Sequence, residues 1–122
     1  MKLDESSIKP LFLQIAEIIE DMILEKEIKE DEQVVSTNQL AQILNINPAT
    51  ARKGLSLLSD EGILYKKRGL GMYVSENAVE KIRERRVKSF FDEFVLKMLI
   101  EAEKLNISKS EILKIIEKYG ED

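Results

Sequence analysis

Hydrophobic positions along the chain change rhythm several times, and each change predicts an element. Leu11, Ile15, Ile18, Ile19, Met22 and Ile23 recur at spacings of three and four, with Glu17, Glu20, Asp21 and Glu25 filling much of the remainder. That period places the apolar side chains on one helical face and predicts a first helix over 10–27. Pro10 suits its first turn, where a missing N–H costs nothing. Residues 28–35 carry no strong period and read as a connection with a short extended end. Ser36 opens a second helix, its hydroxyl able to cap the N–H of Asn38 or Gln39. Leu40, Ala41, Ile43 and Leu44 form its apolar side. Asn45, which tolerates a left-handed backbone, ends it.

Asn47-Pro48 is a helix start, a capping residue followed by proline at the first helical position. The third helix runs to about Asp60 with Ala51, Leu55 and Leu58 inward, and Gly62 terminates it. Residues 63–67 and 72–75 are two short strand-like runs around Arg68-Gly69-Leu70-Gly71, which predicts a β-hairpin. A long helix follows over 78–105, capped by Asn77. Its apolar positions are Val79, Ile82, Val87, Phe90, Phe91, Phe94, Val95, Met98, Leu99, Ala102 and Leu105. Its 28 residues span about 42 Å at ~1.5 Å each. Ser108-Lys109-Ser110-Glu111 fits a capping box and opens a last helix to about Tyr119, with Ile112, Leu113, Ile115 and Ile116 on its apolar side.

Composition removes several readings. The chain has 122 residues, 43% hydrophobic and 34% charged, with no cysteine and no histidine. Without cysteine there is no disulfide scaffold, thiolate zinc site or cysteine nucleophile. Without histidine there is no Ser-His-Asp triad. No cofactor is expected, and carboxylates without a second chemical group read as helix surface, so the chain is not expected to be an enzyme. No stretch approaches the ~20 apolar residues that span a bilayer. The start lacks a charged-then-apolar leader pattern. Both point to a cytoplasmic protein with no membrane partner. The net charge is −4. Residues 1–75 hold 9 basic and 12 acidic side chains, so a nucleic-acid site must rest on a local patch.

The order of elements is that of a winged helix-turn-helix: a mostly α chain with one small hairpin. Two short helices flank a tight turn at residues 44–47, with small Ala41 where they approach and Leu40, Leu44, Ile46 and Ala51 locking them together. Such a unit offers the start of its second helix to the DNA major groove. Asn47, Ala49, Thr50, Arg52 and Lys53 lie at that start; Lys66, Lys67 and Arg68 lie on the hairpin. From Arg52 to Tyr73 there are 5 basic and 2 acidic residues, a local excess hidden by the overall charge. A lone Arg-Lys pair on a helix is ordinarily a solvated face, and lysines also protect an exposed strand edge. Within this constellation they read as DNA contacts as well. Asn47 is a helix cap first and a base contact second.

The segments Pro10-Leu11-Phe12-Leu13-Gln14-Ile15-Ala16, Ser36-Thr37-Asn38-Gln39-Leu40-Ala41, Asp60-Glu61-Gly62-Ile63-Leu64-Tyr65 and Arg68-Gly69-Leu70-Gly71-Met72-Tyr73-Val74 stand in register. Together they resemble the DNA-binding domain of the GntR family. Ile46-Asn47-Pro48-Ala49-Thr50-Ala51-Arg52 looks like that family's short YtrA-type branch. The resemblance covers residues 10–75. It implies a regulator, mostly of repressor type, that binds a palindromic double-stranded operator as a homodimer. It also implies DNA contacts at Ser36, Asn47, Thr50, Arg52, Arg68 and Gly69. Asn38 stands where many members carry arginine and is counted with the contacts, as are Ala49, Lys53 and Lys67. Pro48 stands where larger branches carry another arginine.

Residues 1–75 are thus expected to be the DNA-binding domain and 76–122 a helical dimerisation region. Phe90, Phe91, Phe94, Val95, Met98, Leu99, Ile112 and Ile116 are the expected seam, since two helices cannot bury so much apolar surface alone. About 45 residues leave little room for an enclosed ligand, which directs any small-molecule effector to that seam. Arg83, Arg85, Arg86 and Lys88 are expected to pair with Glu80, Glu84 and Asp92 on the same helix. The competing reading is a winged helix that binds protein rather than DNA.

Overall fold

A computed structural model describes residues 2–121. The elements are α1 (Leu11–Leu24), α2 (Thr37–Leu44), α3 (Pro48–Asp60), β1 (Leu64–Lys67), β2 (Gly71–Val74), α4 (Ala78–Phe90), a π-helical turn (Phe91–Val95), α5 (Leu96–Lys104) and α6 (Lys109–Lys118). The chain divides into two compact units, residues 1–84 and 85–122.

The first unit is built on α3, against which α1, α2 and β1 all pack. Its core joins Ile15, Ile19 and Ile23 of α1, Leu40 of α2, Ala51, Leu55 and Leu58 of α3, Leu64 and Val74 of the hairpin, and Ala78 and Ile82 of α4. The crossing of α1 and α3 is close at Gly54. A Cβ there would lie 2.8 Å from Ile15 Cγ2 and 2.9 Å from the Phe12 carbonyl oxygen. β1 and β2 pair antiparallel, Leu64 opposite Val74 and Tyr65 opposite Tyr73.

Helix α1 is shorter than its period predicts, and Pro10 sits outside it as the N-cap, its carbonyl accepting from the Leu13 and Gln14 N–H groups. Its end is set by Lys26, which turns left-handed at φ 63°. The Glu27 N–H then reaches back to the Met22 carbonyl at 2.8 Å and the Lys26 N–H to Ile23 at 3.0 Å. This closes the last carbonyls of the helix. The same backward bond follows a left-handed residue at Asn45 (Ile46 to Ala41), Gly62 (Ile63 to Leu58) and Asn106 (Ile107 to Ala102). Asparagine and glycine announce such stops; lysine, a good helix former, does not.

The connection after α1 is more ordered than its sequence suggests. Val34 is buried, Gln33 bridges to Tyr73, and Asp31, Glu32 and Val34 exchange backbone hydrogen bonds with Met72 and Val74 at 2.8–3.0 Å. The connection therefore runs along the β2 edge of the two-stranded hairpin and is tied to it by a single isolated bridge. Ile43, expected inward, is 59% exposed, because the eight-residue α2 buries only Leu40 and Ala41.

Within residues 85–121 only Ala102 is buried. The long helix expected over 78–105 is broken into α4, the π turn and α5. The apolar positions explain the break. Val87, Phe91, Val95 and Leu99 repeat every four residues, as do Phe90, Phe94, Met98 and Ala102. In a regular helix of 3.6 residues per turn, a period of four drifts about 40° per repeat. One wider turn takes up that drift. Phe90, Phe91 and Phe94 remain 55%, 54% and 62% exposed, and Leu113, Ile115 and Ile116 of α6 are exposed as well. Val95, Leu99 and Ile112 are half-buried. Among the described residues no helix is long and apolar enough to cross a membrane.

Candidate nucleic-acid interface

The start of α3 is built by its cap. Asn47 Oδ1 accepts the Ala49 N–H at 2.8 Å, and Pro48 occupies the first helical position. The Asn47 side-chain amide NH2 keeps its donors for an outside acceptor. Ala51, Gly54, Leu55 and Leu58 face the core, which turns Ala49, Arg52 and Lys53 to solvent. Among the described residues Arg52 has no ion-pair or hydrogen-bond partner, so its guanidinium is available for bidentate recognition. Lys53 is held differently: its ammonium lies 4.1 Å from the centroid of the Phe12 ring. Leu11, Phe12, Ala49, Thr50 and Lys53 line a shallow, solvent-open depression of about 430 Å³ where α1 meets α3.

At the start of α2, Ser36 Oγ accepts the Gln39 N–H at 3.1 Å while the Gln39 side chain accepts the Ser36 N–H at 3.3 Å. This capping box fixes the Ser36 hydroxyl at the helix end with its proton still free to donate. Asn38, two residues further on in the first turn of the helix, is exposed.

The hairpin turn carries the other cations. Tyr65 and Tyr73, opposite in register, stack at 5.9 Å. The Lys67 ammonium sits 4.1 Å from the Tyr73 ring and 5.9 Å from that of Tyr65. Tyr65 Oη donates to Asp31 Oδ1 at 2.8 Å, and this bond to a carboxylate holds its hydroxyl above the usual tyrosine range. Gly69 and Gly71 take left-handed φ values of 78° and 102°, and the Gln33 side-chain amide donates to the Leu70 carbonyl at 2.5 Å. Arg68, Gly69 and Leu70 form the exposed tip.

The residues expected to meet DNA therefore fall at three places in one unit. Ser36 and Asn38 lie at the start of α2, Asn47, Ala49, Thr50, Arg52 and Lys53 at the start of α3, and Lys67, Arg68 and Gly69 on the wing. All are exposed except half-buried Thr50. The sequence reading missed the supports: Phe12 beneath Lys53, the tyrosine pair beneath Lys67, and Gln33 behind the wing tip. The tyrosine pair lies one residue off the expected hairpin: a four-residue turn at 68–71 would set Tyr65 against Val74, whereas the observed three-residue turn at 68–70 pairs Lys67 with Gly71 and sets Tyr65 against Tyr73. Gln33 had no sequence signal, its partner lying 37 positions away.

Comparison with known proteins agrees with this architecture. The sequence profile of the bacterial regulatory proteins of the gntR family matches residues 11–74, just over half of the chain. The HTH-type transcriptional repressor YtrA of Bacillus subtilis (strain 168) is 27% identical over 122 residues, covering 100% of this chain and 93% of that protein. A GntR family transcriptional regulator from Listeria monocytogenes superposes with a TM-score of 0.76 at 28% identity, over 95% of this chain and 98% of that one. The DNA-binding domain of AraR, solved in complex with operator ORX1, superposes with a TM-score of 0.56 at 27% identity, over 62% of this chain and 93% of that one. The chain belongs to the GntR family of bacterial regulatory proteins, a mostly helical, winged helix-turn-helix DNA-binding transcriptional regulator that resembles YtrA over its whole length.

Proposed function

We propose that the chain is a repressor that binds an inverted-repeat operator as a homodimer in the cytoplasm. The observation that carries this reading is the placement, in one unit, of an exposed Asn47-to-Lys53 helix start and a basic wing with Lys66, Lys67 and Arg68. Arg52 reads a guanine or grips a phosphate, Asn47 and Thr50 donate to base edges or phosphates, and the wing cations lie along the backbone. Ser36, Asn38, Lys53, Lys67 and Gly69 position the unit on the duplex. The AraR domain solved with its operator supports DNA as the partner.

The second unit supports the homodimer. Its apolar side chains, Phe90, Phe91, Phe94 and Met98 among them, are exposed and far outnumber what Ala102 alone can cover. Val95, Leu99, Ile112 and Ile116 complete the seam. A two-fold axis through such a seam sets two reading helices about one DNA turn (~34 Å) apart.

Footprinting on DNA upstream of the protein's own gene, over a salt series, tests both parts. A protected inverted repeat whose binding weakens steeply with salt, and is lost in Arg52→Ala, is the expected result. Binding no tighter than to random DNA, both there and in a selection from fragmented genomic DNA, overturns it in favour of a winged helix that binds protein.

A further inference from the structure

The tip of the wing is apolar. Leu70 is 59% exposed between the two left-handed glycines, with Gly69 separating it from the run Lys66, Lys67 and Arg68. Its backbone is already satisfied: its N–H donates to the Lys67 carbonyl at 2.9 Å, and its carbonyl accepts from Gln33 at 2.5 Å. Gln33 also fills the space beside Gly71, where a Cβ would come 3.0 Å from Nε2. The turn is fixed from both ends, and Leu70 itself offers its partner an isobutyl group with no spare polar atom. An exposed leucine among three cations has no role in the core, and the cations name the polyanion that covers it.

We propose that Leu70 is a specificity residue that enters the DNA minor groove and selects against guanine beneath the wing. This rests on the DNA-binding reading above. In the minor groove an A·T pair shows only acceptors, whereas a G·C pair adds the guanine 2-amino donor. An apolar side chain pressed over that amino group removes its water and gives it no acceptor, so G·C is penalised and A·T is not. Arg68 and Lys66 meanwhile keep the flanking phosphates, and apolar side chains, leucine among them, do enter this groove in minor-groove binders.

Inosine separates this from other causes. An inosine·cytosine pair keeps the major-groove face of G·C and lacks the minor-groove amino group. An operator is first selected from random duplexes, and its A·T pairs outside the bases read by α3 are then replaced singly by G·C or by inosine·cytosine. At one or two positions per half-site, G·C is expected to weaken the wild type about tenfold, while inosine·cytosine stays within about twofold. In Leu70→Ser, which leaves the core untouched and the melting temperature unchanged, the G·C penalty is expected to disappear at those positions. The proposal is overturned if inosine·cytosine is as harmful as G·C, if Leu70→Ser keeps the penalty, if no position shows one, or if the selected operator already carries G·C beneath the wing. A protein that selects no operator at all instead overturns the DNA-binding reading itself.

Discussion

The Lys53 ammonium lies 4.1 Å above the Phe12 ring, so a cation of α3 is held by an aromatic of α1 at the edge of the candidate interface. The ring limits the rotamers of a side chain that otherwise carries a large entropy, which favours a fixed phosphate contact. Lys53→Ala is expected to lower the slope of log affinity against log salt by about 0.9 per protomer, the loss of one phosphate contact. Phe12→Leu keeps the charge and the apolar volume. It is expected to weaken DNA binding while leaving that slope unchanged. Titration of both variants against operator DNA at several salt concentrations reads the difference.

Asn47 joins two roles that one substitution can separate. Its Oδ1 caps α3, and its amide donors face outward. Asn47→Ala is expected to cost about 1 kcal/mol of stability through the lost cap. Asn47→Asp keeps a capping oxygen and adds a favourable negative charge at a helix start. It is expected to hold or raise the melting temperature and yet to reduce DNA affinity by about five- to 150-fold, because one base-contact loss is worth about 1–3 kcal/mol. An Asn47→Asp variant that bound like wild type would remove Asn47 from the interface.

Gly54 is a helix-interior glycine that alanine does not improve. Alanine gains about 1 kcal/mol in helix propensity. Its Cβ, however, would press on Ile15 Cγ2 at 2.8 Å and on the Phe12 carbonyl at 2.9 Å, and a backbone oxygen has little freedom to yield. Overpacking of this kind costs about 1–3 kcal/mol. Gly54→Ala is expected to be net destabilising, read as a lower urea midpoint with an unchanged slope.

The Tyr65–Asp31 bond predicts a pH dependence with a definite sign. The neutral hydroxyl donates to the carboxylate, so the folded protein holds the Tyr65 proton to higher pH than the unfolded chain. The stabilisation is complete below the ordinary tyrosine value near 10 and is lost as pH rises through the raised folded value. Asp31→Asn tolerates the left-handed backbone at φ 62° and removes the charge. It is expected to move the Tyr65 absorbance titration back toward its ordinary value.

The exposed aromatics of the second unit set a test of the homodimer. Phe94→Glu places a charge on the apolar stripe, where a tightly packed partner would desolvate it. Sedimentation is expected to give a dimer for the wild type and a monomer for the variant. Operator affinity is expected to fall with it, while the melting of the first unit stays in place. Equal sedimentation of the two would move the seam elsewhere.

The positions of most elements were legible because their signals are local. Ser36 and Asn47 cap the helices that follow them, and Asn45 and Gly62 turn left-handed where their small or absent side chains allow it. The glycine turn itself was legible, but its length was not: three residues, 68–70, and not four fix the register of Tyr65 on Tyr73. Even the π turn is written in the period of four shared by Val87, Phe91, Val95 and Leu99, although a helical reading absorbs it as noise. The end of α1 was not legible, since a left-handed Lys26 is stabilised by backbone bonds and not by its own preference.

What the sequence alone determined was where the chain turns, which faces are apolar and which cations stand at a helix start and a glycine turn. Those depend on residues within a few positions of one another. Tertiary structure decided which groups support the interface: Phe12 under Lys53, Asp31 on Tyr65, Gln33 behind Leu70 and Gly54 against Ile15. Each of these pairs joins separate elements, and its contact exists only after the core has brought those elements together. A period or a cap leaves no trace of such a contact, because its distance is set by packing and not by position along the chain.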